Sequence, residues 1–349
     1  INKFQELSGR KLTEASPETL IFETVAYMIG LREEKYNDEM KQNYLRFARD
    51  EILDLKGEFY GNRGKRLFEQ PAVATFRFYI SSIQATDTVI PKGSRIRYNE
   101  LYFETDEEYK ITKGNLSVDG KATCNTLGTI GNGIPVGQIK DMVDIYPNYQ
   151  KVENITESNS GTSEEPDESY RERIREIPES FTTAGSSGAY IFWTKTASTD
   201  IIDVKVHSPS ATNVDVYIWT VSGTVSQELK EKVKSVLNEE NIRPLTDKVN
   251  IKEPNKVNYS VDFDYYIEKD NETLVNIIKS NVDKTIQEFI SWQKEKIGKD
   301  INPDELIKRL KIAGVKRVVL RSPAFQKLSF NQVGINNGIT SNYQGVEEL

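Results

Sequence analysis

Histidine and cysteine, the side chains that most often carry catalysis or bind metal, are almost absent from this sequence. Its 349 residues include one His and one Cys. A nucleophilic triad or dyad would have to use His207 or Cys124, and no G-x-S-x-G nucleophile elbow occurs. A protein zinc site needs three or four ligands, which one His and one Cys do not supply. The sequence therefore predicts no catalytic residues, no metal site and no cofactor.

Carboxylates are the remaining candidates for chemistry. The chain has 53 Asp and Glu against 46 Lys and Arg, which gives a net charge of -7. Because chance pairs of carboxylates are then expected, their abundance alone does not predict a glycosidase. Residues 151–183 form an acidic run that lacks the D-x-D-x-D-G register of a loop that binds Ca²⁺. We interpret this run as a solvated linker that leads into a short helix.

Two further features have a structural interpretation that is simpler than a functional one. His207 precedes a Ser-Pro turn, so we expect an exposed histidine at the end of a strand. Cys124 alternates like a core position, where a free cysteine behaves as a small apolar residue. The glycine-rich stretch 128–137 has no G-x-G-x-x-G register, and no helical pattern follows it. It is predicted to be a turn between strands.

Composition argues against other classes of partner. The chain is 37% hydrophobic and 28% charged, and no stretch approaches the roughly 20 consecutive apolar residues of a membrane span. The net charge of -7 argues against nucleic acid, because proteins that bind it concentrate Lys and Arg on one face. We predict a soluble chain with no membrane span and no nucleic-acid partner.

The N-terminal segment, residues 1–71, is predicted to be helical and to bind a partner. Ser16 followed by Pro17 and Glu18 is a typical helix start, with an N-cap, a first-turn proline and a first-turn acid. Apolar residues with helical spacing follow at Phe22, Val25, Ile29, Tyr36 and Met40. This stripe either docks on the next domain or is offered to a partner chain. These five residues are our candidate interface.

From residue 72 the apolar period changes to two, which predicts strands. Short strands and turns continue to about residue 150, so residues 72–150 are predicted to be a small β domain. The change of composition at residues 151–183 supports the hypothesis of a hinge in the acidic linker.

Helical and strand patterns alternate over residues 184–349. The most regular strand pattern alternates apolar and polar residues from Val257 to Ile267, so one face of its sheet is expected to be exposed to solvent. We predict an α+β region with mainly antiparallel sheets, divided into subdomains 184–222 and 223–331 and ending in an irregular C-terminal tail. The predicted fold class is α+β multidomain, with an N-terminal helical segment, a small all-β domain and then this α+β region.

Seven short motifs occur in a fixed order between Ser16 and Asn331. They are Ala48–Gly57 with Gly61–Arg63, Gly128–Asn132, Glu165–Ile174, Thr183–Gly185, Val214–Ile218, Arg243–Asp247 and Ala313–Val315. The most specific is the E-x-D-E-x-Y-R-x-R-I run that begins at Glu165. In this order the motifs resemble the baseplate J-like family of contractile phage tails and R-type tailocins.

The resemblance implies a structural, non-enzymatic role in a baseplate wedge. In this family two copies combine with one smaller tail protein, and six wedges close a ring around the hub and pass the contraction trigger to the sheath. The implied partners are a second copy, the smaller tail protein, neighbouring wedges, the hub and sheath-initiator proteins. The resemblance also implies assembly in the bacterial cytoplasm, followed by release in a phage or tailocin particle.

Two alternative functions stay open. A tail-fibre adaptor would be β-dominated and trimeric, and the long helices predicted near residues 17–55 and at 272–296 argue against it. A carboxylate glycosidase that cuts cell wall would release sugar fragments from peptidoglycan, which is a direct test.

Overall fold

The chain folds into two compact units that do not follow sequence order. The computed structural model describes residues 1–13, 16–182, 184–239, 242–244 and 246–348. The N-terminal unit comprises Ile1–Arg66 and Pro166–Arg175, and the main unit comprises Leu67–Glu165 and the chain from Glu176 onward. Residues 166–175 therefore belong to the same unit as the N-terminal helices, although the residues that flank them in sequence belong to the main unit.

The N-terminal unit is helical. Its helices are α1 (Asn2–Ser8), α2 (Pro17–Gln42), α3 (Asp50–Glu58) and α4 (Asp167–Glu176), with a short 3₁₀ helix at Gly61–Gly64. Ser16 is the N-cap residue of α2 and Pro17 its first residue, as predicted. The apolar stripe is broken between α2 and α3, where the Gln42 side chain accepts a hydrogen bond from the Arg49 N–H at 3.0 Å.

An antiparallel barrel, nearly closed, begins the main unit. Its strands are β1 (Pro71–Ile80), β2 (Thr88–Ile90), β3 (Arg95–Tyr98), β4 (Leu101–Thr105), β5 (Tyr109–Ile111), β6 (Ser117–Leu127), β7 (Asp141–Met142) and β8 (Tyr149–Asn154). The main sheet has the order β7-β3-β4-β6-β1-β8, and β2 pairs with β5. Alternate residues of β1 point into the core. Cys124 is buried in the same core, as predicted, and the glycine-rich stretch lies between β6 and β7.

The prediction of a solvated linker at residues 151–183 is wrong for its first half. Strand β8 pairs with β1, and Asn159 and Thr162 form further bridges to Val73 and Gln70. Several polar side chains of this run bond to backbone of the same domain, although the buried hydroxyl of Thr162 has no hydrogen-bond partner among the described residues. Ser158, for example, is fully buried and donates to the Gly131 carbonyl at 2.6 Å. Polar composition suggested exposure, but these residues complete the barrel, so they do not support a hinge.

Two mixed α/β layers follow the barrel. The first contains α5 (Ser187–Thr196), β9 (Ile201–Ser210), β10 (Asn213–Thr220), α6 (Gln227–Leu237) and β11 (Lys248–Lys252), with sheet order β11-β10-β9. The second contains β12 (Asn255–Glu268), α7 (Val275–Lys294), α8 (Pro303–Ile312), β13 (Val315–Ser322) and β14 (Gln332–Glu347), with sheet order β13-β12-β14. Short 3₁₀ helices occur at Ile177–Phe181 and Lys269–Leu274.

Three details of the predicted α+β region need correction. Both sheets are mixed, because β10 is parallel to β11 and β12 is parallel to β14. The predicted boundary at 222/223 cuts through the first layer, since β11 pairs with β10. The predicted irregular tail after residue 331 is instead the 16-residue strand β14. Its Asn and Gly residues have low strand propensity, but pairing with β12 determines its conformation.

The outer face of the second sheet is polar, as the alternation in β12 predicted. The Arg321 guanidinium donates to Asp262 Oδ1 at 2.6 Å and to Asp264 Oδ2 at 2.7 Å. Asn342 of β14 also donates to Asp264, at 3.0 Å. The hydrogen bonds from Arg321 lower the pKa of Asp264 to about 2.

Replacing Arg321 with alanine should raise the pKa of Asp264 towards its ordinary value of about 4. Since the pKa in the folded state is the lower one, the ionised Asp264 stabilises the fold above about pH 4, and this contribution is lost as the pH falls through about 2. A carboxyl NMR titration measures the shift. Arg317→Ala, which removes a guanidinium that bonds to Glu347 instead, is the control. An unchanged pKa of Asp264 in Arg321→Ala would contradict the assignment.

Candidate functional site

The most specific motif of the sequence forms α4 and binds the other helices of the N-terminal unit. Tyr170 is buried, and its hydroxyl donates to the Gly64 carbonyl at 2.5 Å. The guanidinium carbons of Arg66 and Arg173 lie 4.5 Å and 5.3 Å from the centre of its ring. Both arginines thus make cation–π contacts with one buried tyrosine.

Two arginines of α4 satisfy backbone carbonyls at the breaks between helices. Arg171 donates to Leu45 O at 2.9 Å and to Ala48 O at 2.7 Å, in the segment that joins α2 to α3. Arg173 donates to Arg63 O at 3.1 Å and to Lys65 O at 2.6 Å, around the 3₁₀ helix. An arginine suits this task because its fork of donors can bond several carbonyls at once.

Asp167 joins α4 to the start of α3. Its carboxylate accepts the Asp50 N–H at 3.0 Å and pairs with Arg66 at 2.8 Å, while Arg66 also bonds Asp54 at 2.7 Å. Burial acts to raise the pKa of Asp167, but the bonds from the Asp50 N–H and from Arg66 outweigh it and hold the pKa below its ordinary value. The acidic start of the motif is therefore an ionised cap, and not a cation site.

Helix α2, whose last residue Gln42 bonds to the Arg49 N–H at the start of this framework, carries the predicted interface. Four of the five candidates are about half exposed: Val25 47%, Ile29 52%, Tyr36 60% and Met40 48%. The fifth, Phe22, is partly buried, and its ring centre lies 5.2 Å from that of Phe4 in α1. Their spacing places all five along one side of the helix. Among the described residues, only Thr19 and Gln42 of α2 are buried.

A second group of exposed apolar residues on α2 was missed by the sequence analysis. It consists of Leu20, Ile21, Tyr27, Met28 and Leu31, which are 48% to 68% exposed. At 100° per residue, Leu20, Tyr27 and Leu31 project from the side of α2 opposite to the predicted stripe, and Ile21 and Met28 lie between that side and the stripe. The signal was present in the sequence, because the run from Leu20 to Leu31 holds more large apolar residues than one stripe can contain. The first half of α2 is thus apolar on two sides.

The structure gives no sign of a catalytic or metal site among the described residues that could carry chemistry. His207 is exposed, as predicted, but β9 continues for three residues beyond it, and its ring centre lies 4.6 Å from that of Phe330. Within the described ranges, no group of three or more His, Cys, Asp or Glu residues could hold a metal ion. None of the helices in those ranges combines the length and the apolar character needed to cross a bilayer.

One cleft in the main unit contains several carboxylates. Its volume is about 780 Å³, and its lining includes Asp106, Glu157, Asp200 and Glu228. Burial raises the pKa of Asp200, whose carboxylate accepts hydrogen bonds from the backbone and the hydroxyl of Ser222 and from the Val221 backbone. Asp200 therefore caps the turn after β10, which accounts for its position without a catalytic role.

Comparisons with known proteins agree with this architecture. Three family models match: the Baseplate J-like protein barrel domain at residues 75–161, the Baseplate J-like central domain at 182–253 and the Baseplate J-like protein C-terminal domain at 261–342. The matched regions coincide with the barrel and the two α/β layers. Thr183 and Leu245, in two of the motifs that carried the resemblance, lie outside the described residues.

A curated relative and a solved structure are also similar. Baseplate protein J of Escherichia phage P2 is 30% identical over 161 residues, which is 46% of this chain and 52% of that protein. The chain thus spans about half the length of this relative. A chain of the anti-feeding prophage (AFP) baseplate, solved by cryo-electron microscopy, aligns with a TM-score of 0.43 at 10% identity, over 97% of this chain and 89% of that one. With its three domains matched in order over more than half of its length, the chain belongs to the Baseplate J-like family.

Proposed function

We propose that this chain is a structural, non-enzymatic component of the baseplate of a contractile injection particle, and that α2 binds a partner chain there. Family membership supports the place in a baseplate. The observation that supports a contact between α2 and a partner chain is the exposure of apolar side chains on two sides of this helix. Large contiguous apolar patches are rare on monomeric soluble proteins and typically mark interfaces.

We propose more specifically that the chain is part of a baseplate wedge. Two copies of the chain combine with one smaller tail protein, and six wedges form a ring around the hub that couples baseplate rearrangement to sheath contraction. Residues with i, i+3 and i+4 spacing on α2 fit a groove or a helix of a partner. Assembly in the bacterial cytoplasm and release in a phage or tailocin particle belong to the same proposal.

Val25→Glu combined with Ile29→Glu should leave the chain folded and abolish capture of its partner. Both side chains are exposed, so their replacement removes little packing within the chain, whereas two carboxylates in a buried apolar interface carry a large desolvation cost. The test is affinity capture of the full chain, expressed with the tail proteins encoded beside it, with bound proteins identified by mass spectrometry.

The matched control is Asn37→Glu with Lys41→Gln, which changes the charge of α2 by the same amount. Both positions are exposed and point away from the two apolar groups. We expect this control to capture its partner as the wild type does, and both variants to keep the wild-type circular dichroism. Equal capture by the Val25, Ile29 variant would show that this side of α2 is not the interface. Release of sugar fragments from peptidoglycan would overturn the non-enzymatic role.

A further inference from the structure

Strand β14 leaves a long sheet edge unpaired. It has 16 residues and lies at one side of the sheet β13-β12-β14, and among the described residues no strand pairs with its outer side. Such an edge exposes a row of backbone donors and acceptors that can pair with another chain. Native proteins usually protect these edges by short length, charged residues or proline.

The other edge strands of this chain carry that protection, and β14 does not. Strand β7 has two residues, and β2 and β5, which pair with each other, have three each, so these edges are short. The remaining edges hold charges or proline at Lys151 and Glu153 in β8, Asp203, Lys205 and Pro209 in β9, Lys248 and Lys252 in β11, and Lys316, Arg317 and Arg321 in β13. The one charged residue in β14 is Glu347, at its end, where it bonds to Arg317. The middle of β14 is therefore open to pairing.

Two bulges determine which part of β14 is regular. The pairing with β12 shifts between Asn336 and Ile339 and again between Tyr343 and Val346. Between these shifts, Ile339–Tyr343 pair residue by residue with Val261–Tyr265 of β12. Because bulges bend a strand, this uncharged five-residue segment is the part that can accept a further strand.

The side chains of this segment alternate between the two faces of the sheet. Ile339, Ser341 and Tyr343 lie opposite Val261, Phe263 and Tyr265, which face the core. Ile339 is nevertheless 44% exposed, because it lies at the edge of the sheet. Thr340 and Asn342 lie on the outer face, where Asn342 bonds to Asp264. An added strand in register would cover Ile339.

We propose that residues 339–343 pair with the same residues of a second copy of this chain, antiparallel about a two-fold axis at Ser341. The register places Ile339 against the second copy's Tyr343 and Thr340 against the second copy's Asn342, and it brings two serines together on the axis. An apolar residue then meets an aromatic one, and no like charges are opposed. The contact is isologous, so the same edge serves both copies.

A ladder of five residues is a small interface. Cross-strand pairs contribute little individually, and association costs translational and rotational freedom. The pairing is therefore weak between free chains and is strengthened where an assembly holds two copies close together. It does not depend on α2, so the Val25, Ile29 variant leaves it intact.

Cysteine crosslinking of the full chain tests the register. Under mild oxidation, Ser341→Cys should form a disulfide-linked dimer at least about tenfold more than Ile339→Cys or Val319→Cys, because only a residue on the axis meets its own copy within disulfide distance. Val319 is exposed on the opposite edge strand, β13. The native Cys124 is buried and does not compete.

A charge on the edge provides the second test. In the Ser341→Cys chain, Thr340→Lys should abolish the dimer, because it places a charge on the edge and sets the two lysines diagonally across the axis on the same face of the sheet, whereas Val319→Lys should leave the yield unchanged. Circular dichroism equal to that of the wild type shows that each variant is folded. Absence of the dimer in Ser341→Cys, or equal yields at positions 341, 339 and 319, would overturn the proposal.

Discussion

Gly57→Ala is expected to lower the free energy of unfolding of the N-terminal unit by about 3 kcal/mol or more. A Cβ atom at this position would lie 1.9 Å from the Tyr170 hydroxyl and 2.3 Å from the Gly64 carbonyl oxygen. The second contact is with backbone, so rotation of a side chain does not relieve it. Separating α3 from the 3₁₀ helix would also break the hydrogen bond from Tyr170 to Gly64.

The two units can be followed separately in a urea titration. Trp193, Trp219 and Trp292 all lie in the main unit, so tryptophan fluorescence reports the main unit and far-ultraviolet circular dichroism reports both. We expect Gly57→Ala to move only the circular dichroism transition. Gly30→Ala is the matched control, because nothing lies within 4 Å of a Cβ at Gly30 of α2, and alanine there should stabilise slightly. A Gly57→Ala transition unchanged from wild type would contradict the close packing of α3 on the 3₁₀ helix.

The helical and barrel elements could be predicted because their signals are local. The start of α2 is specified by three adjacent residues, and the alternation in β1 and β12 directly gives the buried face. Such local patterns could not predict the role of α4. Arg171 and Arg173 look like solvated charges in sequence, but they are buried because their partners are carbonyls 108 to 126 residues earlier in the chain.

The corrections share one physical cause, which is that pairing partners are not encoded locally. The polar residues after β8 bond to backbone of the barrel, and β14 is a strand because β12 lies beside it. Strand direction is not encoded locally either, so the mixed sheets were predicted to be mainly antiparallel. The candidate interface was predicted from helical spacing, and that method selects one stripe and overlooks a helix that is apolar on two sides.

Trp219→Ala is expected to cost the main unit about 3 to 5 kcal/mol of unfolding free energy. Trp219 lies in β10 of the first layer and is fully buried, and its indole N–H donates to the Lys294 carbonyl at the end of α7 at 2.8 Å. It packs in a small core with Ile297 and Val333, which belong to the second layer. One side chain therefore joins two layers that the sequence suggested as separate subdomains.

Trp219→Phe separates packing from hydrogen bonding at this joint. It keeps an aromatic ring in the core and removes the N–H, so we expect a smaller loss, of about 1 to 2 kcal/mol. Unfolding followed by circular dichroism should show one transition for the main unit in both variants, shifted further to low urea for alanine, since the two layers unfold together when they share a core. If the main unit of the wild-type chain instead showed two transitions, and Trp219→Ala shifted only one of them, the layers would unfold independently and the contact at Trp219 would contribute nothing to their cooperativity.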